Sequence, residues 1–91
     1  MSTPSGKIEL YTTLFCPFCI RAKQLLDSKR VMYYETDVTT RLSLREAMTE
    51  RAGGRTSVPQ IFIDGQHIGG CDDLLALERI GQLDRLLQVA C

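Results

Sequence analysis

Two thiols three residues apart, in Cys16-Pro17-Phe18-Cys19, are the side chains of this sequence whose types and spacing can do chemistry. Proline is tolerated at the first helical position, where its missing N–H costs nothing, so Pro17 there makes Cys16 the N-cap and puts Cys19 in the first turn. Residues three apart on a helix are neighbours, with Cβ atoms roughly 5 to 6 Å apart, and a small adjustment at the helix start brings the sulfurs within disulfide reach. The pair can open and close with little backbone movement. Unsatisfied N–H groups and the positive end of the helix dipole favour an anion at Cys16, and the thiolate is the nucleophilic form of sulfur. Cys16 is the expected nucleophile. Cys19, a turn deeper, is the expected resolving thiol, which attacks a mixed disulfide on Cys16 and releases a reduced substrate.

A strand must lead into this pair and a helix out of it. Lys7 to Tyr11 alternates, with Ile8 and Leu10 on one face, and predicts a first strand. From Pro17 to about Ser28, Cys19, Ala22 and Leu26 recur at helical spacing, and Lys29 and Arg30 suit the negative end of that helix. Val31 to Val38 is β-branched and aromatic, which predicts a second strand. Thr39 or Thr40 can cap a second helix, and Ser43-Leu44-Arg45-Glu46 also matches a capping box. Its apolar face is Leu44, Ala47 and Met48, and Gly53-Gly54 stops it. Val58 to Ile63 reads as a strand interrupted early by Pro59, and Asp64-Gly65 turns it into a return strand around Gln66 to Ile68. Asp72 or Asp73 can cap a last helical stretch carrying Leu74, Leu75, Leu77 and Ile80, which Gly81 breaks before Leu83, Leu86 and Leu87. The order β-α-β-α-β-β-α predicts an α/β fold with a right-handed parallel crossover first and a hairpin last, hence a mixed sheet.

Ninety-one residues read as a single domain over 1–91, with 1–6 as a loose leader, and a chain of this size can bury roughly 60 to 70 per cent of its unfolded surface. Eleven basic and eleven acidic residues cancel, and they form neither a basic patch for nucleic acid nor a polybasic membrane segment. Met1 to Lys7 is short and polar with no hydrophobic stretch, so the expected location is the cytoplasm, with no membrane partner. Four cysteines could belong to a secreted disulfide framework, but a close pair opening a helix favours a redox or metal role.

Three stretches in order resemble the glutaredoxins, which have the thioredoxin fold: Cys16-Pro17-Phe18-Cys19 after Tyr11-Thr12, then Ser57-Val58-Pro59-Gln60, then Gly69-Gly70-Cys71-Asp72-Asp73. The likeness covers residues from about 7 to 90. It implies four strands in the order 2-1-3-4 flanked by helices, a cis peptide at Val58-Pro59, and glutathione bound as an extended tripeptide. The binding residues it implies are Phe18, Ser57, Val58, Pro59, Gln60, Gly70, Cys71 and Asp72. The cysteinyl part would pair with the backbone at Val58, the γ-glutamyl carboxylate would meet the N–H groups at Cys71 and Asp72, and Asp72 would take the ammonium. General chemistry agrees, because a helix N-terminus is an anion site and a neighbouring carboxylate suits the cation of the same zwitterion. The implied activity is that of a monomeric, glutathione-dependent thiol–disulfide oxidoreductase. It would reduce protein disulfides and protein–glutathione mixed disulfides, with glutathione as co-substrate and no metal.

The sequence departs from the family in two places. Phe18 stands where dithiol relatives more often have tyrosine, and Thr13 stands where many carry a lysine that holds the glycyl carboxylate and stabilises the thiolate. The second departure implies weaker glutathione affinity than a lysine-bearing relative, with Gln60 kept as a polar group and Arg55 or Arg41 as candidate cations.

Other readings compete. His67 and Cys71 could join the cysteine pair as four zinc-type ligands, although a histidine just after a turn is commonly solvent-exposed. Some glutaredoxins hold a [2Fe–2S] cluster between subunits, which proline after the first cysteine disfavours. A thioredoxin-like protein reduced by a flavin reductase is the enzymatic alternative, and the Gly-Gly-Cys-Asp-Asp segment argues for glutathione instead. Cys71 reads as a small residue in a tight turn, or else as a secondary redox site. Cys91 carries no assigned mechanism. Arg41, Arg45 and Arg51 read as a solvated helix face.

Overall fold

In the first strand, β1 (Ile8–Thr12), Ile8, Leu10 and Thr12 are buried on one face while Glu9 and Tyr11 are half-buried on the other. That alternation makes β1 a central strand with a layer on each side. The structure, a computed structural model, describes residues 7–87, so the expected leader (1–6) and Cys91 lie outside the described residues. After β1 come α1 (Pro17–Ser28), β2 (Tyr34–Asp37), α2 (Leu42–Arg51), β3 (Gln60–Ile63), β4 (Gln66–Gly69), α3 (Cys71–Arg79) and α4 (Leu83–Leu87).

The sheet has the order β2-β1-β3-β4, as expected. Strand β1 runs parallel to β2, with Glu9 opposite Tyr34, and antiparallel to β3, with Tyr11 opposite Gln60. Asp64 (φ 53°) and Gly65 (φ 79°) make the hairpin turn, left-handed at both positions as an Asp-Gly hairpin requires. It sets Phe62 opposite His67, and a register shift follows between Ile61 and Phe62.

One face of the sheet (Ile8, Leu10, Ile61, Ile63) joins Ala22 and Leu26 of α1, Cys71 and Leu74 of α3, and Leu83 and Leu87 of α4 in one buried cluster. Ala22 has no exposed surface, and its small side chain lets α1 lie close on the strands. Leu26 is equally buried, which is worth roughly 1.5 to 3 kcal/mol relative to an exposed leucine. On the other face, Arg51 of α2 lies over the Phe62 ring, with its guanidinium carbon 4.1 Å from the centroid. It also forks onto Glu9 at 3.1 and 3.2 Å and donates to the Tyr11 hydroxyl at 2.9 Å.

The structure corrects several expectations. Arg51 covers the sheet and Arg45 donates to the Thr56 carbonyl at 3.0 Å, so this side of α2 is not simply solvated. Of the proposed apolar face of α2 only Met48 is buried, and the Arg51 guanidinium covers Phe62 beside it. Strand β2 begins at Tyr34 instead of Val31: Arg30 (φ 57°) first turns the chain out of α1, and only Tyr34–Asp37 meets β1. Arg41 is the N-cap of α2 and gives no side-chain bond, since Thr39 is committed to Asp37 and to the Leu14 N–H. Strand β3 starts after Pro59, not at Val58. Gly70 is the N-cap of α3, so Asp72 lies in the first turn and is not the cap. The break expected at Gly81 is present: with φ 75° it separates α3 from α4.

Candidate active site

The segment from Thr13 to Phe15 carries the chain from the end of β1 into α1, and two bonds fix it. The Val38 N–H donates to the Thr12 carbonyl at 2.8 Å, and the Leu14 N–H donates to the Thr39 hydroxyl at 2.8 Å. Phe15 (φ 58°) makes the left-handed step that delivers Cys16 to the N-cap of α1 in an extended conformation. Pro17 then takes the first helical position. Cys16 Sγ accepts the Cys19 N–H at 3.3 Å, so the sulfur itself supplies the cap acceptor usually given by serine or aspartate. It sits where the free N–H groups of a helix gather partial positive charge.

Cys19 is buried against the core at 1% exposure. Burial, and next the hydrogen bond with Cys16, push its thiol up to about 12, so it rests as the neutral thiol. The two cysteines therefore occupy unlike sites: Cys16 is partly exposed at a helix terminus and Cys19 is dry. Cys16, Cys19 and Cys71 are all free thiols.

A cleft of about 180 Å³ opens beside this pair, lined by Phe18, Arg55, Ser57, Val58, Pro59, Gly70, Cys71, Asp72 and Asp73. The Val58-Pro59 peptide is cis, as the resemblance implied, and the Val58 carbonyl lies 3.9 Å from Cys16 Sγ. On the opposite wall the first turn of α3 presents the N–H groups of Cys71 and Asp72, which have no intrahelical acceptor at that position. Asp73 Oδ2 reaches back to accept the Gly70 N–H at 2.9 Å and holds Arg55 Nη1 at 3.0 Å. The Gly70 N–H, and then Arg55, hold the Asp73 carboxyl below its ordinary range. Burial pushes the Cys71 thiol up, in keeping with a small buried residue. A larger depression of about 470 Å³ runs along α2 past Leu42, Glu46 and Thr49, but it holds no thiol and is remote in sequence from the cysteine pair.

Seven of the eight residues named from the sequence as binding residues line this cleft, and Gln60 does not. Gln60 has no exposed surface, and its carboxamide is spent inward on Ser57 and His67. Three residues on or behind the cleft had no firm role in the sequence reading. Arg55 was one of two candidate cations, and of these it is Arg55 that lines the cleft. Asp73 was expected only as one of two caps. His67 was expected at the surface and is instead half-buried, with Nε2 2.7 Å from Gln60 Oε1. Among the described residues no group of three or more His, Cys, Asp or Glu is placed to hold a metal ion.

Comparison with known proteins gives a consistent answer. A glutaredoxin family model matches residues 8–68. The chain is 56% identical over 83 residues to glutaredoxin 3 of Escherichia coli K12, covering 91% of this chain and 99% of that protein. Among solved structures, a glutaredoxin from Brucella melitensis is 46% identical with a TM-score of 0.83, over 96% of this chain and 94% of that one. A buckwheat glutaredoxin–glutathione complex is 28% identical with a TM-score of 0.84, over 93% of this chain and 79% of that one.

Proposed function

This chain belongs to the glutaredoxin family, a family of thiol–disulfide oxidoreductases, and we propose that it reduces protein disulfides and protein–glutathione mixed disulfides at the expense of glutathione. The observation that carries the reading is Cys16 Sγ at the N-cap of α1, accepting an N–H and facing the Val58 carbonyl across the mouth of the cleft. The Cys16 thiolate attacks the glutathione sulfur of a mixed disulfide. The old S–S bond breaks, the protein leaves as its thiolate, and glutathione remains joined to Cys16. A second glutathione thiolate then attacks that glutathione sulfur, giving glutathione disulfide and restoring Cys16. With a protein disulfide, the first attack leaves one substrate sulfur on Cys16. Cys19 displaces it to give the Cys16–Cys19 disulfide and a fully reduced substrate, and two glutathione molecules reopen the enzyme.

The unlike sites of the two thiols suit this order. Cys19, neutral in its dry site, does not compete as a nucleophile at rest. Part of what keeps it protonated is its hydrogen bond with Cys16, and a Cys16 sulfur in a disulfide is a weaker acceptor than a thiolate. Glutathione is placed with its cysteinyl part along Val58 and its γ-glutamyl carboxylate on the N–H groups of Cys71 and Asp72, with Asp72 beside the ammonium. Arg55 offers the cation that Thr13 lacks, since Asp73 engages only part of its guanidinium. The buckwheat glutaredoxin–glutathione complex supports glutathione as the partner. The mechanism needs one chain only and a reducing compartment such as the cytoplasm.

Turnover of a glutathionylated protein, run with glutathione and glutathione reductase beside a thioredoxin-reductase-coupled assay, tests the reading. The rate should depend on glutathione. A rate sustained by the flavin reductase alone, with none from glutathione, would replace this function with the thioredoxin-like one.

A further inference from the structure

Gln60 is a fully buried polar side chain beside the reacting centre, and its hydrogen bonds have a direction. Its Nε2 donates to the Ser57 carbonyl at 3.0 Å and lies 3.3 Å from the Ser57 hydroxyl. A carbonyl can only accept, so the carboxamide orientation is settled by its neighbours, and Oε1 is left facing His67 Nε2 at 2.7 Å. That nitrogen must carry a hydrogen. The imidazole is itself held, tilted 34° on the buried Phe62 ring with centroids 5.0 Å apart, and the edge of Tyr11 closes on Phe62. A rigid base therefore presents one N–H to Gln60, and Gln60 in turn ties down Ser57. The next residue, Val58, lines the cleft and places its carbonyl 3.9 Å from Cys16 Sγ.

We propose that His67 is a positioning residue: acting through Gln60, it holds Ser57 and Val58 at the place where the Val58 backbone can receive the cysteinyl part of a substrate. It does not line the cleft and touches no substrate. Its kinetic consequence rests on the glutathione reading given above, whereas its structural consequence does not.

The pair His67→Phe and His67→Gln tests this. Phenylalanine keeps a ring on Phe62 but leaves the buried Gln60 oxygen without a donor, and glutamine restores an N–H near the Nε2 position. For a glutathione mixed disulfide, His67→Phe should raise KM roughly five- to tenfold, the effect of unpairing one buried polar group, with kcat within about twofold. His67→Gln should return KM to near the wild-type value. In the substrate-free protein the backbone amide resonances of Ser57 and Val58 should shift in His67→Phe and not in His67→Gln, whichever substrate the wild type uses. An unchanged KM with unmoved Ser57 and Val58 resonances in His67→Phe would overturn the proposal, as would a glutamine variant impaired as much as the phenylalanine one. A wild type inactive with glutathione, but with the amide shifts as expected, would count against the proposed function and leave His67 in its positioning role.

Discussion

Replacing Asp73 with alanine removes one carboxylate that closes the start of α3 and one edge of the cleft. The Gly70 N–H, which donates to it at 2.9 Å, is buried, and leaving such a group without a partner costs about 1 to 3 kcal/mol. The Arg55 pair at 3.0 Å adds little: both side chains are close to half exposed, at 47% and 46%, so solvent screening limits it to about 1 kcal/mol or less. The sum for Asp73→Ala is about 2 kcal/mol, a fall in Tm of roughly 8 to 16 °C for a chain of this length. Asp73→Asn keeps an oxygen that can cap Gly70 and loses only the charge, so it should cost about 0.5 to 1 kcal/mol. The pH dependence has a definite sign. Asp73 is held below its ordinary value of 3.8, so its contribution is fully present above that value and is lost as pH falls through the lower folded-state value. The gap between wild type and Asp73→Ala should be constant from about pH 5 to 7 and narrow below about pH 4 by the charge-dependent part, while the neutral carboxyl still accepts the Gly70 N–H. Urea unfolding followed by circular dichroism measures it. An alanine variant within about 0.5 kcal/mol of wild type, or an asparagine variant as costly as alanine, would refute the reasoning.

Two further predictions concern the turn into α3 and the approach to Cys16. Gly69 has φ 122° and a Cβ there would meet the Asp73 side chain, with Cγ at 2.6 Å, so Gly69→Ala should cost about 2 to 4 kcal/mol through backbone strain and the displaced carboxylate. In an Asp73→Ala background the same change should cost clearly less, which a double-mutant cycle by urea unfolding would show. Thr13→Lys returns a cation three residues before Cys16 and should lower the KM for glutathione about two- to fivefold, the worth of an exposed ion pair; an unchanged or higher KM would sink the explanation of that departure.

Much of the site was legible because it depends on local rules. Pro17 at the first helical position, with cysteines on either side, states the helix start and the sulfur pair together. Asp64-Gly65 states the hairpin. What escaped the sequence depends on which partner a residue meets. Val31 and Tyr33 have strand-forming side chains and do pack on the core, but they lie beyond the reach of the β1 ladder, so propensity reported burial and not pairing. Thr39, a good cap by type, was taken by the turn with Asp37 and by the Leu14 N–H. Arg51 looked like a solvated charge because nothing in its own helix shows the Phe62 ring and Glu9 carboxylate it covers. His67 could have been found. A two-residue Asp-Gly hairpin puts position 67 opposite 62, and position 60 shares the face of 62, so His67 and Gln60 were bound to be near neighbours.

In the proposed reaction Cys16 alone attacks and Cys19 only resolves. The most direct test is the rate of glutathione-coupled deglutathionylation by Cys19→Ser, with Cys16→Ser as the control. Removing one glutathione needs a single thiol, so Cys19→Ser should retain this activity while losing reduction of protein disulfides, and Cys16→Ser should lose both. Loss of deglutathionylation in Cys19→Ser, or its survival in Cys16→Ser, would contradict the assignment.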